Sequence, residues 1–481
     1  MEPGTDQSDG LDPSSANVGF APGQPAHVSN QNRRMRASML LFSMQLRAII
    51  RNGALTITAP DGSRHQFGSG SPSIAVRLAD WAVVWRLATN PDLAIGEAFM
   101  DGTLVVENAS ICDFLELCLA NLGVRERHWY RRFRALARRF TRRNSVSVAR
   151  ANATHHYDLS DTLYEFFLDA DRQYSCAYYL SPNDTLEQAQ EQKKRHIAAK
   201  LLLRPGQRVL DIGSGWGGFA QYLATMAGVH VTGITLSTEQ QQYANLQAAN
   251  ARLTDKVRFR LEDFRQENER YDRVVSVSMF EHVGVAHYRE FFAKLSDLLN
   301  DDGVALVHTI GDASGPGAGQ PWIQKYIFPG GYTPALSEIV PAIEYAGLLI
   351  TDIEVLRLHY AETLREWRHQ FMVNRARVAA IYDDSFCRMW EFYLAGCEAA
   401  FRHSGLVVFQ IQLSKCIDTI PRTRTYINEW ERTHAAAPGN IMEQERSEFA
   451  RQFQQEADRG DPHGREVGKA AGVFCKRRHR I

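Results

Sequence analysis

One short segment limits the fold of this chain more than any other. The largely apolar run Arg208–Ile212 leads into the sequence Gly-Ser-Gly-Trp-Gly-Gly at 213–218. Such a run is typical of a buried parallel strand, and the glycines let the backbone turn sharply and approach a ligand closely. The segment therefore predicts a strand, a tight turn and a helix that begins near Trp216, with the positive helix N-terminus facing a ligand.

The glycine turn alone does not identify that ligand, because dinucleotide enzymes use the same device. However, the spacing here is Asp-Ile-Gly-Ser-Gly-Trp-Gly, not G-x-G-x-x-G, and the next predicted strand (230–236) does not end in Asp or Glu. Asp-x-Gly-x-Gly resembles the first motif of class I S-adenosylmethionine-dependent methyltransferases. The alternative is a plain strand-to-helix turn that binds nothing.

Length and composition set outer limits on the protein. A chain of 481 residues with 44% hydrophobic residues predicts two domains plus tails. Seven scattered cysteines without a C-x-x-C pair indicate reduced thiols in the cytoplasm and no metal site. No apolar run reaches the roughly 18 residues of a membrane span. The apolar run after Arg36 is interrupted by Gln45 and Arg47 and has no cleavage site, so it does not predict a signal peptide. We expect a protein that is soluble or attached to a surface.

The N-terminal third predicts a tail and a small domain. Residues 1–34 are poor in large apolar side chains, which predicts a disordered tail. Residues 35–124 predict an α+β domain with strands near 54–59 and 64–67 and helices near 81–87 and 111–118, the first helix capped by Asp80. This domain contains no cluster of catalytic residue types, so we interpret it as a structural module or a lipid- and membrane-docking module.

Residues 125–150 form an unusual linker. Arginines crowd its first part, and apolar residues (Trp129, Phe133, Leu136, Ala137 and Phe140) recur there at helical spacing. This pattern predicts a basic amphipathic helix suited to an anionic membrane surface, and hence peripheral association with the inner face of the membrane. A solvated linker helix is the alternative. No reader motif for nucleic acid accompanies the charge.

Residues 151–430 alternate between predicted strands and helices, as expected for a parallel sheet covered on both faces. Seven strands are predicted, at 208–212, 230–236, 257–261, 273–277, 304–308, 349–355 and 408–413. The predicted fold class is therefore α/β, with the seven-stranded, Rossmann-like sheet of class I methyltransferases and a small N-terminal α+β domain. Residues 431–481 are rich in Gly, Gln and charge and predict a mobile tail.

Motifs spread through this region carry a more specific resemblance. They lie at 156–159 (His-Tyr-Asp-Leu), 174–178, 233–237, 279–284, 308–311 and 326–331. In this order they resemble cyclopropane-fatty-acyl-phospholipid synthases and the related mycolic acid cyclopropane synthases, and the resemblance covers roughly residues 45 to 428. It implies transfer of a methylene group from S-adenosylmethionine to the cis double bond of an unsaturated phospholipid acyl chain. It leaves a homodimer open.

The resemblance and the motif chemistry together assign cofactor residues. Ten are expected to bind S-adenosylmethionine: Tyr174, Ser175, Asp211, Gly213, Gly215, Thr235, Leu236, Gln240, Glu262 and Asp263. The two glycines should lie under the methionine part, with backbone amides near its carboxylate. Tyr174 and Ser175 should close over that end, Gln240 should contact the ribose, and the two acidic residues should read the adenine amino group. Each polar member has an alternative role as a capping or turn residue.

The implied reaction has a particular chemical demand. An isolated alkene has no proton whose removal would make it a nucleophile, so its π electrons attack the sulfonium methyl group directly and leave a carbocation. A base must then take a proton from the added methyl group so that the ring closes, and water must be excluded. The resemblance implies that this base is bicarbonate. It assigns five residues to an anion cage around it: Cys176, Glu281, His308, Tyr360 and Cys397.

Simple chemistry is consistent with this cage. His and Tyr donors can hold bicarbonate while a Glu accepts its hydroxyl proton. Glu281 and His308 are expected at or just beyond the carboxyl ends of the fourth and fifth strands. The aromatic residues expected around Tyr360, namely Phe280, Trp367 and Phe401, would favour a nearby cation.

Several alternatives remain open at this point. His308 can be an ordinary core histidine, and Cys397 can be a packed thiol on a helix. The same site can also yield a methyl-branched or methylene product. A different class of function is a lipid-binding protein whose methyltransferase domain is inactive.

Overall fold

The computed structural model describes residues 26–122, 161–317 and 319–435, with side chains described from residue 37 onward. The basic segment 125–150, the motif at 156–159, residues 1–25 and residues 436–481 lie outside the described residues. Within the three described ranges, no helix combines the length and apolar character needed to cross a bilayer.

The N-terminal unit is an α+β domain. Its elements are α1 (Ala26–Ile49), β1 (Gly53–Thr58), β2 (Arg64–Ser69), β3 (Ser73–Leu78), α2 (Trp81–Thr89), α3 (Pro91–Met100), β4 (Leu104–Val106) and α4 (Ile111–Leu122). The strands form a sheet in the order β2-β1-β3-β4. Asp80 caps α2 as predicted, because its Oδ1 accepts a hydrogen bond from the Val83 amide at 2.8 Å.

The boundary predicted for the N-terminal tail is too late in the chain. Helix α1 begins at Ala26, inside the stretch 1–34 that composition predicted to be disordered. Met39, Phe42 and Leu46 are buried and anchor this helix to the domain. Because helix propagation is cooperative once a turn is anchored, the polar residues before them join the helix.

The second unit carries the larger sheet. Its elements are α5 (Asp161–Glu165), α6 (Leu186–Lys200), β5 (Arg208–Ile212), α7 (Gly218–Ala227), β6 (His230–Thr235), α8 (Thr238–Asn250), β7 (Val257–Leu261), β8 (Tyr271–Val277), α9 (Tyr288–Leu298), β9 (Leu299–Asp312), α10 (Pro321–Tyr326), α11 (Leu336–Tyr345), β10 (Leu349–Leu356), α12 (His359–Val373), α13 (Arg375–Ile381), α14 (Asp384–His403), β11 (Leu406–Ser414) and α15 (Thr425–Thr433). Two 3₁₀ turns lie at Phe280–His282 and Val285–His287.

All seven predicted strands are present, in the sheet order β10-β11-β9-β8-β5-β6-β7. The prediction of a parallel sheet holds for β5 to β9, but β11 runs antiparallel between β9 and β10. Strand β9 extends to Asp312, so His308 lies inside the strand, not at its end. His308 nevertheless pairs with Val277, the last residue of β8, and is level with the carboxyl end of that neighbour.

The glycine turn is longer than the sequence suggested. Helix α7 begins at Gly218, not near Trp216, because Gly217 takes a left-handed conformation with φ of +86°. Positive φ values at Gly213 and Gly215 precede it. Glycine populates this region without the steric penalty of a Cβ atom, which explains why three of them alternate here.

The two units share a hydrophobic cluster. A single cluster of buried side chains runs from Met39 on α1 through α4 and α14 to Val408 on β11. At the contact between the units, a Cβ atom on Gly96 of α3 would lie 2.4 Å from Nε1 of Trp322. Only glycine allows this approach, so α3 is fitted closely against α10.

Candidate active site

A pocket opens at the carboxyl ends of β5 and β6, where open α/β sheets place their ligands. All ten residues predicted to bind the cofactor line it: Tyr174, Ser175, Asp211, Gly213, Gly215, Thr235, Leu236, Gln240, Glu262 and Asp263. Met279 and His282, which follow β8, complete one wall. The structure therefore brings together positions that are spread over almost ninety residues of sequence.

The glycine turn forms the floor of this pocket. The amide of Gly213 donates a hydrogen bond to the Ile234 carbonyl at 2.9 Å, so this amide is already used within the protein. A Cβ atom at Gly213 would lie 2.9 Å from the Cβ atom of Met279, whereas a Cβ atom at Gly215 would meet no protein atom within 4 Å. The space in front of Gly215 is thus left for a ligand. The Ser214 amide also donates to the Ile234 carbonyl, at 3.0 Å, so amide donors for a carboxylate must come from beyond Ser214.

The end of β6 fixes a polar group in the pocket wall. Thr235 Oγ1 donates to Gln240 Oε1 at 2.9 Å, and Ser237 caps α8 by accepting from the Gln240 amide at 3.2 Å. Gln240 is buried. Because its carbonyl oxygen faces Thr235, its side-chain nitrogen is the group that can donate to a ribose hydroxyl.

The acidic pair after β7 is held by arginines. Asp263 is buried and accepts two hydrogen bonds from the Arg265 guanidinium, at 2.8 and 2.7 Å. Glu262 lies 3.1 Å from Nε of Arg260. These ion pairs orient both carboxylates at the end of β7.

A buried lysine, which the sequence analysis did not single out, contacts residues at the end of the pocket that is predicted to hold the methionine part of the cofactor. Lys193 of α6 donates to Gln173 Oε1 at 2.6 Å and to Ser175 Oγ at 2.9 Å. Burial lowers the pKa of Lys193 to about 8. Burial also raises the pKa of Asp211 to about 7, with the charge on Lys193 opposing the shift. Oδ2 of Asp211 is buried without a hydrogen-bond partner among the described residues, so this wall holds an unsatisfied polar atom.

Aromatic side chains cover the same end. The hydroxyl groups of Tyr174 and Tyr393 lie 2.8 Å apart, and the ring of Tyr174 packs against Trp367 with ring centroids 5.2 Å apart. Tyr360 contacts Trp367 and Phe401, at centroid distances of 5.7 and 4.9 Å. The predicted aromatic surroundings of Tyr360 are confirmed for these two residues.

The prediction for Phe280 is wrong. This ring packs on Tyr288 and Phe291 of α9, with centroid distances of 4.4 and 5.0 Å, and not around Tyr360. Phe280 and Tyr360 belong to different core clusters. The 3₁₀ turn after β8 directs Phe280 into the helix layer, so it cannot face a cation in the site.

Two of the predicted cage residues present unsatisfied atoms. Glu281 accepts a hydrogen bond from the Ile310 amide at 2.6 Å through Oε1. Its Oε2 and Nε2 of His308 are buried with no hydrogen-bond partner within the described parts of the chain. Burial raises the pKa of Glu281 to about 7. Burial, together with the charges on Lys193 and Lys200, holds the pKa of His308 well below its usual range.

The two cage cysteines are unreactive thiols. Cys176 is fully buried and donates to the Ala177 carbonyl at 3.2 Å. Burial raises the pKa of Cys397 to about 12 and that of Cys176 further. Since the thiolate is the nucleophile, neither cysteine is poised to attack.

The five cage residues lie behind the cofactor pocket and do not line it. Cys176 directly follows the lining residue Ser175, and Glu281 directly precedes the lining residue His282. Burial raises the pKa of Tyr393 well above its usual range, and the neighbouring Tyr174, Cys397 and Tyr360 raise it further. That the five residues form one cage stays a prediction.

Comparison with known proteins decides the family. The family model described as mycolic acid cyclopropane synthetase matches residues 144–411. The chain belongs to this family. It is 35% identical over 351 residues to the cyclopropane-fatty-acyl-phospholipid synthase of Escherichia coli K12, covering 73% of this chain and 90% of that protein. It is 34% identical over 412 residues to a tuberculostearic acid methyltransferase of Mycobacterium tuberculosis, covering 83% of this chain and 94% of the other.

A solved structure agrees with the fold. A mycolic acid cyclopropane synthase in complex with S-adenosylhomocysteine and CTAB superposes with a TM-score of 0.52 and 33% identity, covering 55% of this chain and 97% of that one. This member of the cyclopropane synthetase family is therefore a class I, S-adenosylmethionine-dependent methyltransferase that modifies unsaturated lipids. The predicted family, fold class and enzyme class are confirmed.

Proposed function

We propose that this cyclopropane synthetase transfers a methylene group from S-adenosylmethionine to the cis double bond of a phospholipid acyl chain, with bicarbonate as the general base. One observation carries the assignment of the base: Oε2 of Glu281 and Nε2 of His308 are both buried and unpaired within the described chain. Buried polar atoms are almost always hydrogen-bonded in native proteins. A small anion with one hydroxyl proton and several acceptor oxygens would satisfy both.

The predicted site residues would hold both groups. The ten lining residues would hold S-adenosylmethionine, which supplies the methyl group, and the anion cage would hold bicarbonate, which supplies the base. Gly215 leaves room for close approach, and Gln240 donates toward the ribose. Glu281 accepts a hydrogen bond from the hydroxyl group of the anion, and His308 and Tyr360 donate hydrogen bonds to its oxygens.

The aromatic layer over the site has two roles in this proposal. Trp367 packs against both Tyr174 and Tyr360 and is fully buried. Their π faces stabilise positive charge on the acyl chain, and their packing excludes the water that would otherwise trap it. The cysteines stay neutral and line the cage without forming a bond.

Substitution of Glu281 by alanine tests the base. The change removes the acceptor that orients the anion but leaves the cofactor pocket intact. We expect nearly normal S-adenosylmethionine affinity by isothermal titration, low turnover, and partial recovery when bicarbonate is raised at constant pH. Full activity of this variant, or activity of the unaltered enzyme that does not respond to bicarbonate, would contradict the assignment.

A second candidate product uses the same site. The relative named as a tuberculostearic acid methyltransferase covers 83% of this chain, which favours a product that keeps the added methyl carbon outside a ring. Mass spectrometry of lipids from expressing cells separates the two. A gain of one CH2 unit that resists hydrogenation indicates a ring, and unmodified lipids would support the non-catalytic, lipid-binding alternative.

We further propose that the enzyme works as a peripheral protein on the cytoplasmic side of the membrane. Helices α1 and α2 leave large apolar side chains exposed: Leu40 is 65%, Met44 62% and Trp85 53% accessible. Clustered exposed apolar residues are typical of interaction surfaces, and the basic segment 125–143 would add attraction to anionic lipid. Cosedimentation with anionic vesicles should weaken with salt and in the variant Leu40→Glu/Met44→Glu. Unchanged binding would show that this surface does not contact the membrane.

The homodimer stays a prediction, which light scattering can check.

A further inference from the structure

A chain of buried polar contacts lies directly behind His308. Gln410 of β11 is paired with His308 of β9 across the antiparallel ladder, and its Nε2 lies 3.2 Å from His308 Nδ1. Lys200 of α6 donates to Gln410 Oε1 at 2.9 Å. All three side chains are fully buried. This arrangement connects a cage residue to a charged group that the reaction itself does not use.

The chain of contacts fixes the orientation of the glutamine amide. A lysine ammonium has three donors and no acceptor, so the Gln410 atom that faces Lys200 must be the carbonyl oxygen. The amide nitrogen therefore faces His308 and donates to Nδ1. A neutral imidazole carries only one N–H, so a ring whose Nδ1 accepts must carry its proton on Nε2.

We propose that Lys200 and Gln410 are positioning residues that hold His308 in the tautomer with the proton on Nε2, so that its unpaired nitrogen is a donor toward the anion site. This inference rests on the proposed function, because it gives His308 its role in binding the anion. It also explains why a neutral histidine suffices there: a fixed N–H donor binds bicarbonate without a second proton.

The surroundings keep Lys200 available as a donor. Glu354 of β10 forms an ion pair with Lys200, and Asp352 lies 3.7 Å away. Glu354 is held in turn by Nε2 of His196 at 2.7 Å, and Nδ1 of His196 lies 2.7 Å from Glu431 on α15. Burial lowers the pKa of Lys200, and the neighbouring carboxylates Glu354 and Asp352 oppose that shift.

The groups that face His308 also keep it singly protonated. Lys193, Lys200 and His196 on α6 are close enough for their charges to disfavour its protonation, and Gln410 of β11 contacts its Nδ1. Burial and the positive charges disfavour an imidazolium ion, which would in addition point a second N–H at the Gln410 amide. Only the tautomer with the proton on Nε2 can accept from the Gln410 amide and also donate to the proposed anion.

The substitution Gln410→Glu tests the proposal in the full-length enzyme. A carboxylate of the same shape keeps the contact with Lys200 but accepts from His308, which moves the proton to Nδ1 and leaves Nε2 as an acceptor toward an anion. We expect the KM for bicarbonate to rise about tenfold or more, while S-adenosylmethionine affinity stays unchanged. An unchanged bicarbonate KM in a folded variant would overturn the proposal.

A matched control lies two residues away on the same face of β11. Gln412 is also buried, and its Nε2 donates to the backbone carbonyl of Lys200 at 2.5 Å; its side chain also bonds to Tyr426 and Thr351. Gln412→Glu introduces the same charge on the same strand. We expect the bicarbonate KM to remain normal in this variant; an equal rise in both variants would show a general effect of a buried charge and would also overturn the proposal.

A direct readout does not depend on activity. Nitrogen-15 NMR of histidine-labelled enzyme distinguishes the two neutral tautomers, and the His308 signals are assigned by their loss in His308→Gln. We expect protonated Nε2 and unprotonated Nδ1 in the unaltered enzyme, and the reverse in Gln410→Glu. A proton on Nδ1 of the unaltered enzyme would refute the tautomer. Turnover that ignores bicarbonate would instead refute the proposed base, so the two failures are distinguishable.

Discussion

The substitution Gly215→Ala separates ligand binding from folding at the glycine turn. Gly215 has a φ of +55°, and a Cβ atom there would meet no protein atom within 4 Å. A side chain in the left-handed region costs about 1–2 kcal/mol, and no overpacking adds to this. The variant should therefore fold, with the free energy of unfolding reduced by that amount. Its new methyl group would lie in the space that the pocket offers to the cofactor.

Gly206→Ala is the matched control. Gly206 has a φ of +81°, its Cβ atom would also meet no protein atom within 4 Å, and it lies in the turn before β5, outside the pocket. Urea unfolding should give similar losses for both variants. Isothermal titration should show a Kd for S-adenosylmethionine raised about 10- to 100-fold in Gly215→Ala only, which corresponds to about 1.4–2.8 kcal/mol. Equal cofactor affinity in the two variants would refute the placement of the cofactor over Gly215.

Three further predictions concern the cage and the contact between the two units. The pKa of Glu281 is raised to about 7 in the folded state, so its neutral form stabilises the fold at low pH and this contribution is lost as pH rises toward 7. The free energy of unfolding, measured with urea, should therefore decline less between about pH 5 and pH 7.5 in Glu281→Gln than in the unaltered enzyme. Cys397→Ser should retain most turnover, since the thiol stays protonated and no bond to sulfur is proposed; an inactive variant would make the cysteine a participant. Gly96→Ala should lose about 1–3 kcal/mol of unfolding free energy through overpacking against Trp322. In the control Gly396→Ala, the new Cβ atom would meet Leu115 at an ordinary 3.8 Å, so this variant should be neutral or stabilised by about 0.5–1 kcal/mol. Equal effects of the two substitutions would show that the packing at Gly96 is not tight.

The sequence predicts the sheet and the pocket well because both follow from local patterns. Buried strands appear as apolar runs, and parallel strands bring their carboxyl ends to one edge, so residues such as Gly213 and Gln240 meet in space. The antiparallel direction of β11 has no comparable signal, because direction depends on how the chain crosses between strands. The sequence analysis also did not predict β3, a strand of six residues that lies between predicted elements.

Residues whose role depends on burial escape a reading of the sequence alone. Lys193 and Lys200 lie in a helix rich in charged and polar residues, which resembles a solvated surface helix, and only packing against the sheet buries them. Gln410 and Gln412 did carry a signal. Two glutamines in an otherwise apolar strand cost free energy unless they are hydrogen-bonded, so their presence indicates a polar network. Phe280 was misplaced because the direction of a side chain after a strand depends on a turn that residue types do not specify.

The hydrophobic cluster shared by the two units has a consequence for how the protein melts and moves. Arg388 of α14 donates to the Met100 carbonyl at 2.7 Å, Lys325 pairs with Glu97 at 2.7 Å, and the buried cluster around them is continuous. Unfolding of either unit would expose buried apolar side chains of the other. Calorimetry should therefore show one cooperative transition and not two. The shared contacts also fix the orientation of the two units relative to each other. Once the N-terminal unit is oriented on a surface, the tilt of the catalytic pocket relative to that surface is set as well.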